Sequence, residues 1–302
     1  MIRIGSRGSQ LALWQAHHIA AALRALGHEA SITTITTTGD RLQGVPFARV
    51  GSKGMFTKEI EEALLAGQID LAVHSLKDLP TELAEPFVIG AVTKRVDPRD
   101  VFVSTRYSSM DALPAGARVG TSSLRRQSQL RARWPQLEYV EFRGNVDTRL
   151  RKLAEGQVDA AVLAAAGLDR LGRTEWVRER FHEDVLCPAP GQGALGIECR
   201  AGDVATREVL RALDDADTRF AVTAERATLG ALGGGCQVPI GAYCRGDGDE
   251  YRILGCVSSP DGAIVLRAED RGGEAEALGL RLADALLRQG ALQLLAKQGP
   301  AA

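Results

Sequence analysis

The sequence predicts an α/β protein of two similar domains, with a smaller α+β domain at the C-terminal end. Three features predict it. Through most of the chain, β-branched runs alternate with segments of helical periodicity, as strands joined by helices require. Two stretches of that pattern recur. Gly67-Gln68-Ile69-Asp70-Leu71-Ala72-Val73 is echoed by Gly156-Gln157-Val158-Asp159-Ala160-Ala161-Val162, and Ile2-Arg3-Ile4-Gly5-Ser6 by Ala117-Arg118-Val119-Gly120-Thr121. The offsets differ, which excludes a short tandem repeat and suggests two domains of similar topology. The last part instead reads as strands joined by a hairpin and followed by a helix.

Ile2 to Ile4 is a short apolar strand, and Gly5 to Gly8 is a glycine and serine turn. In the helix that follows, Ala12, Ala16, Ile19, Leu23 and Leu26 share one face, and Gly27 is placed to end it. Ser31 to Thr37 is β-branched and reads as a strand. A second helix spans about Lys58 to Ala66, with Thr57 as N-cap and Gly67 as its stop, before the strand Ile69 to His74. Near the C-terminus, Tyr243, Tyr251 to Val257 and Ile264 to Ala268 read as strands. The turn Ser259-Pro260-Asp261-Gly262 joins the last two. A helix runs from about Glu274 to Gln289, and the tail after Lys297 is expected to fray.

Composition narrows the function. The chain has 302 residues, room for about two or three domains. With 37 basic and 38 acidic residues its net charge is -1, so no global field draws it to nucleic acid or an anionic membrane. Any electrostatic function must come from local clusters. The N-terminal residues show no apolar core of a secretory signal. No apolar run reaches the roughly 20 residues of a membrane helix. Five cysteines (Cys187, Cys199, Cys236, Cys244, Cys256), odd in number and without CxxC, suit reduced thiols in a cytosol. The histidines show no ligand spacing, so no metal site is expected.

The densest basic segment lies in the second α/β unit. In Thr121-Ser122-Ser123-Leu124-Arg125-Arg126, hydroxyls and two arginines stand where a helix begins. Free N–H groups there attract anions, whereas arginines oppose the helix dipole, so their presence points to an anionic ligand. Ser6-Arg7-Gly8-Ser9 repeats this chemistry, and Arg143-Gly144-Asn145-Val146-Asp147-Thr148-Arg149 supplies a third arginine-bearing turn. Together the three turns suggest a cleft for a ligand with several carboxylates or phosphates; guanidinium groups bind carboxylates bidentately. Walker A and GxGxxG patterns are absent, which disfavours a nucleotide. Arg131, Arg133, Arg151 and Lys152 lie further along helices and read as a solvated face.

Gly233-Gly234-Gly235-Cys236-Gln237-Val238-Pro239 is costly in backbone entropy and permits close approach by a bulky partner. Locally, Cys236 reads equally as an accessible nucleophile or attachment point and as a small buried residue. The other cysteines lie in or beside apolar runs and read as inert core. Ser75, Lys77 and Asp78 follow the strand ending near His74, the end at which open α/β domains place ligands.

These residues resemble the porphobilinogen deaminase family. The matching stretches are Leu11-Ala12-Leu13-Trp14-Gln15-Ala16, Gly51-Ser52-Lys53-Gly54, Ala72-Val73-His74-Ser75-Leu76-Lys77-Asp78, Val119 to Arg126, Arg143-Gly144-Asn145-Val146, Pro190-Gly191-Gln192-Gly193-Ala194 and Gly234 to Pro239. Arg49 and Ser52 stand where some relatives have lysine and glycine, and Asp147 where some have glycine.

The resemblance implies two domains like those of class II periplasmic binding proteins, 1–93 with 190–213 and 99–187, and a third, 216–302, that carries the cysteine. It implies an enzyme that condenses four porphobilinogen molecules into hydroxymethylbilane, releasing ammonia each time. The chain grows on a dipyrromethane cofactor joined by a thioether that maps to Cys236. Asp78 is implied as the catalytic carboxylate. Lys77, Asp78, Thr121, Ser122, Ser123, Arg125, Arg126, Arg143 and Gly144 are implied at the cofactor. Arg7, Ser9, Lys53, Phe56, Ser75, Arg149, Arg170 and Gln192 are implied at the substrate. A cytoplasmic monomer without metal, nucleic acid or membrane is expected. Two other readings stay open to the residues alone. One is a ligand-sensing module built on the two similar domains; the other is a cysteine hydrolase using Cys236, which needs a histidine in reach.

Overall fold

The computed structural model describes residues 1–41, 57–234 and 238–296. The expected fraying after Lys297 falls outside them. In chain order the first elements are β1 (Ile2–Ser6), α1 (Gln10–Ala25), β2 (Ala30–Thr34), α2 (Thr38–Arg41), α3 (Lys58–Leu65), β3 (Leu71–Ser75) and β4 (Phe87–Val92). Next come β5 (Asp100–Val103), β6 (Arg118–Gly120), α4 (Leu124–Arg133), β7 (Glu138–Val140), α5 (Val146–Ala154), β8 (Ala160–Ala164), α6 (Ala165–Arg170) and β9 (Val177–Arg180). The chain continues through β10 (Leu195–Arg200), α7 (Val204–Arg211) and α8 (Ala216–Ala231). It ends with β11 (Ile240–Asp247), β12 (Glu250–Ser258), β13 (Val265–Gly272), α9 (Ala275–Arg288) and α10 (Ala291–Ala296). Two compact units result: Met1–Val96 with Ala194–Arg219, and Asp97–Gly193 with Phe220–Ala302.

The first unit holds a five-stranded sheet of order β2-β1-β3-β10-β4. β1 runs parallel to β2 and β3, and β10 runs antiparallel to β3 and β4. The second unit repeats this plan as β7-β6-β8-β5-β9, with β5 antiparallel to β8 and β9. In each, the fourth place is taken by the strand that enters from beyond the crossover, the topology of class II periplasmic binding proteins. The echo read from the sequence is therefore a repeat of structure. Ile4 and Gly5 pair with Leu71 and Ala72, just as Val119 and Gly120 pair with Ala160 and Ala161.

An acid at the helix-to-strand turn fixes that register twice. Arg3 N donates to Asp70 Oδ2 at 2.8 Å, and Asp70 N returns a bond to Arg3 O at 2.8 Å. In the second unit Arg118 N donates to Asp159 Oδ2 at 2.8 Å, and Asp159 N to Arg118 O at 2.9 Å. Each sheet is covered on both faces, which explains the nearly continuous apolar runs of its central strands. Ala16, Ile19 and Leu23 of α1 pack on Ile4, Leu71 and Val73, while Ile60 and Leu64 of α3 pack with Ala72 from the other side.

Two local expectations need correction. Leu26 does not share the buried face of α1; it is the C-cap, with non-helical dihedrals, and is 45% exposed. Thr57 does not cap α3 with its side chain, because its own backbone is helical and its hydroxyl bonds to Glu61.

The C-terminal part forms an antiparallel sheet of order β11-β12-β13. Its core joins Ala221 and Ala224 of α8, Ile240 and Ile253 of the sheet, and Leu278, Leu282 and Leu286 of α9. The expected hairpin turn is present: Gly262 N donates to Ser259 O at 2.9 Å, and Ser259 N to Ile264 O at 2.8 Å. This turn docks on α4, where Arg131 donates from Nη1 to Pro260 O at 3.1 Å.

Candidate functional site

Parallel strands deliver their carboxyl ends to one edge of a sheet, and the residues singled out in the sequence collect at that edge in each unit.

In the second unit, β6 ends at Gly120 and the chain turns through Thr121, Ser122 and Ser123 into α4. Each hydroxyl stabilises the turn. Thr121 Oγ1 accepts from Ser123 N at 3.3 Å, Ser122 Oγ from Phe142 N at 2.9 Å, and Ser123 Oγ, as N-cap, from Arg126 N at 3.4 Å. Arg125 and Arg126 follow on the first turn of α4 and are buried, only 5% and 6% exposed. Both converge on Asp100, which is wholly buried at the start of β5. Arg125 Nη1 donates to Asp100 Oδ2 at 2.7 Å and to Cys187 O at 2.6 Å. Arg126 donates to Asp100 Oδ1 from Nε at 2.9 Å and from Nη2 at 2.7 Å, and to Val162 O from Nη1 at 3.1 Å. Gln192, wholly buried, donates from Nε2 to the same Oδ1 at 3.0 Å and to Pro98 O at 2.6 Å. Burial alone would push the Asp100 carboxyl up. The charges of Arg125 and Arg126, with hydrogen bonds from Arg125 and Gln192, outweigh it and hold the group well below the usual carboxylate range.

Sequence reasoning missed Asp100. A signal existed: an acid opens the otherwise apolar run Val101-Phe102-Val103. Its antiparallel strand brings it level with Ala164, the last residue of β8, and so to the carboxyl edge of its parallel neighbours. The arginine pair is thus not reserved for a ligand alone, as the sequence implied; it has an internal counterion, with two guanidiniums on one carboxylate.

The remaining residues of this unit gather at the same edge. Arg143, after β7, pairs with Glu141, and Gly144 adopts φ +121° just before α5. Arg149 is half-buried on the first turns of α5. Arg170, on α6 just beyond β8, is 8% exposed and donates from Nη2 to Gly193 O at 2.8 Å. Burial pushes its pKa down to about 10, partly opposed by Asp169. The four side chains read as solvated divide. Arg133 and Arg151 are exposed, whereas Arg131 holds the hairpin and Lys152 donates to Arg143 O at 3.1 Å.

In the first unit, Arg7 follows β1 and is bound by Asp40, with Nε 3.1 Å from Oδ1. Ser9 is the N-cap of α1, its Oγ accepting from Ala12 N at 3.3 Å. Ser75 ends β3, the neighbouring strand, and accepts from Gln15 Nε2 at 2.9 Å. A single 3₁₀ turn, Leu76–Asp78, comes next. Leu76 is buried beneath it, while Asp78 is exposed at its end and Lys77 half-exposed. Lys53, Phe56 and Cys236 lie outside the described residues. Cys187, Cys199, Cys244 and Cys256 are buried, as expected of core. Burial pushes the Cys187 and Cys256 thiols up, and that of Cys199 to about 11, which keeps them protonated at neutral pH. Among the described residues no cluster of His, Cys, Asp or Glu could hold a metal, and no helix is long and apolar enough to cross a membrane.

Two α/β units of one topology, each with charged side chains at the carboxyl edge of its sheet, define the class: a protein of paired α/β units with a small antiparallel sheet after them. Comparison with known proteins narrows this. Residues 2–208 match the family model "Porphobilinogen deaminase, dipyromethane cofactor binding domain", and residues 219–288 match "Porphobilinogen deaminase, C-terminal domain". The chain is 49% identical over 298 residues to porphobilinogen deaminase of Brevibacillus brevis, covering 98% of this chain and 96% of the relative. It is 51% identical over 298 residues to that of Trichlorobacter lovleyi, covering 97% and 95%. Among solved structures it is similar to the methionine binding protein MetQ, with 14% identity and a TM-score of 0.47 over 72% of this chain and 91% of that one. The chain belongs to the porphobilinogen deaminase family.

Proposed function

We propose that this chain condenses porphobilinogen stepwise into the linear tetrapyrrole hydroxymethylbilane, on a dipyrromethane primer held by a thioether to Cys236. The observation that carries the reading is the buried guanidinium pair at the start of α4, inside the region matched by the cofactor-binding family model. The donor set suits a pyrrole chain bearing acetate and propionate groups. Fixed guanidiniums neutralise carboxylates that would otherwise be prohibitively expensive to bury. Arg125, Arg126 and Arg143, with Lys77, Thr121, Ser122, Ser123 and Gly144, would hold the primer. Arg7, Ser9, Lys53, Phe56, Ser75, Arg149, Arg170 and Gln192 would serve the incoming unit and the growing chain. When bound, the primer supplies a nucleophilic pyrrole carbon that remains in place between additions.

Each addition breaks the bond between an aminomethyl carbon and its nitrogen and forms a carbon–carbon bond. Ammonia leaves, and the attacking pyrrole carbon gives up its proton once the new bond has formed. Asp78 is the group assigned to this chemistry. As a carboxylate near pyrrole N–H groups it stabilises the cationic azafulvenium left by ammonia and assists the proton transfers. Arginine cannot take that role, because it does not deprotonate.

A cytoplasmic monomer without nucleic-acid or membrane partners completes the reading. So does a division into three domains, 1–93 with 190–213, 99–187 and 216–302. The separate C-terminal sheet and core support the third. The test is a porphobilinogen consumption assay with ammonia counted per pyrrole. The chain should release one ammonia per unit consumed. Asp78→Asn should fold, keep its primer and lose about a hundredfold or more in turnover. Near-normal turnover in that variant would overturn the role of Asp78.

A further inference from the structure

The first unit contains a buried hydrogen-bonded His–Glu pair that its fold does not require. His74, 8% exposed on β3, places Nε2 at 2.9 Å from Glu198 Oε2, and Glu198 on β10 is wholly buried. The second carboxylate oxygen, Oε1, is buried with no hydrogen-bond partner among the described residues. Burying a carboxyl group with one oxygen unpartnered is costly, and apolar replacements of buried polar pairs are often neutral or stabilising.

The internal repeat supplies the comparison. Val73 and Ser75 correspond to Val162 and Ala164, so His74 corresponds to Leu163. Glu198 is level with Ala72, and Val103 with Ala161, the residue equivalent to Ala72. The second unit therefore carries Leu163 and Val103 in these two places, both buried in one apolar cluster with Ala161. The same sheet, with the same strand order, closes there without a polar pair.

What distinguishes the first unit is the segment after its third strand. Immediately beyond His74 come Ser75 and the turn Leu76–Asp78, whose Leu76 N donates to Ala194 O at 3.1 Å, one residue before β10. A hydrogen bond has a preferred geometry where apolar packing has none, so it fixes the end of β3 against β10 in direction as well as distance. Glu61 of α3 faces the pair. Burial pushes its carboxyl up and the charge of Glu198 adds to this, while a hydrogen bond from Thr57 and the charge of His74 oppose it.

We propose that His74 and Glu198 are positioning residues, retained to aim the turn that carries Asp78. The inference rests on the catalytic role assigned above to Asp78. His74→Leu combined with Glu198→Val, which gives the first unit the residues of the second, should fold with a melting temperature no lower than the parent's. It should still load the primer, seen as an unchanged excess in intact mass. Turnover should fall about a hundredfold with KM for porphobilinogen within a few-fold, the signature of a misplaced group. His74→Gln, whose amide can still donate to Glu198, should recover part of the loss. Independently of any activity, hydrogen exchange at Leu76 and Leu79 N–H should quicken in the double variant while β1 and β3 stay protected. Unchanged exchange in that turn would overturn the inference, as would full turnover in the double variant. A parent chain that consumes no porphobilinogen would instead count against the proposed reaction, and the exchange result would still decide the positioning role.

Discussion

Asp100 shows how much one buried carboxylate can organise. It accepts from Arg125, Arg126 and Gln192, residues that arrive from α4 and from the segment before β10. Removing one partner of such a group leaves the others buried and unpaired, a loss of roughly 3–5 kcal/mol. The pH dependence follows from the direction of its shift. Its folded pKa is depressed, so its contribution is fully present above the unfolded pKa of about 3.9 and is lost as pH falls through the lower folded value. Thermal melts of the parent from pH 7 to pH 3 should therefore lose stability toward the acid end. Asp100→Asn should melt lower at pH 7 and lose less on acidification, because the titrating group is gone. Parallel pH profiles for the two proteins would contradict this account. Asp78 is the opposite case, an exposed acid two residues after the buried Leu76, which suits the role proposed for it.

At the scale of elements, α4 presents the arginines at one end and is gripped further along by the β12–β13 hairpin. Gly262 at the hairpin tip has φ +73°, and a Cβ there would stand 2.6 Å from Ser128 O and 2.8 Å from Ala132 N, both backbone atoms of α4. Neither can yield without moving the helix. Gly262→Ala combines this overlap with a left-handed backbone, each a cost of about 1–3 kcal/mol. Urea unfolding should show a lower midpoint, and primer loading should fall with it because the arginines move. A midpoint equal to the parent's would mean that the hairpin does not hold α4. The hairpin itself was legible from Ser259-Pro260-Asp261-Gly262, since its turn chemistry is local. Its docking partner was not, because nothing local to the turn names α4. Leu26 and Thr57 were misread for a related reason. Periodicity and cap propensity describe an ideal helix, whereas Leu26 lies just past one and Thr57, though at the N-cap position of another, turns its hydroxyl to Glu61.

For the whole molecule, the repeat was legible because the Gly-Gln-(Ile/Val)-Asp turn is built from local requirements: a helix stop, then an acid that clamps the neighbouring strand. What the two units do differently was only partly legible. The arginines stood out in the sequence, but Asp100 is distant from them in the chain, and His74 and Glu198 meet only across β3 and β10. One topology has thus been given two chemistries. The position that holds Leu195 in the first unit holds Asp100 in the second, and the positions that hold Leu163 and Val103 in the second hold the hydrogen-bonded pair His74 and Glu198 in the first. In the proposed reaction the pyrrole chain grows while tethered to Cys236. Intact mass spectrometry before and after addition of porphobilinogen tests it most directly. A tethered primer requires a starting mass above that of the bare polypeptide, absent in Cys236→Ser, and then a ladder of equal pyrrole increments. A mass equal to the polypeptide alone, with no increments even after incubation with porphobilinogen, would contradict it.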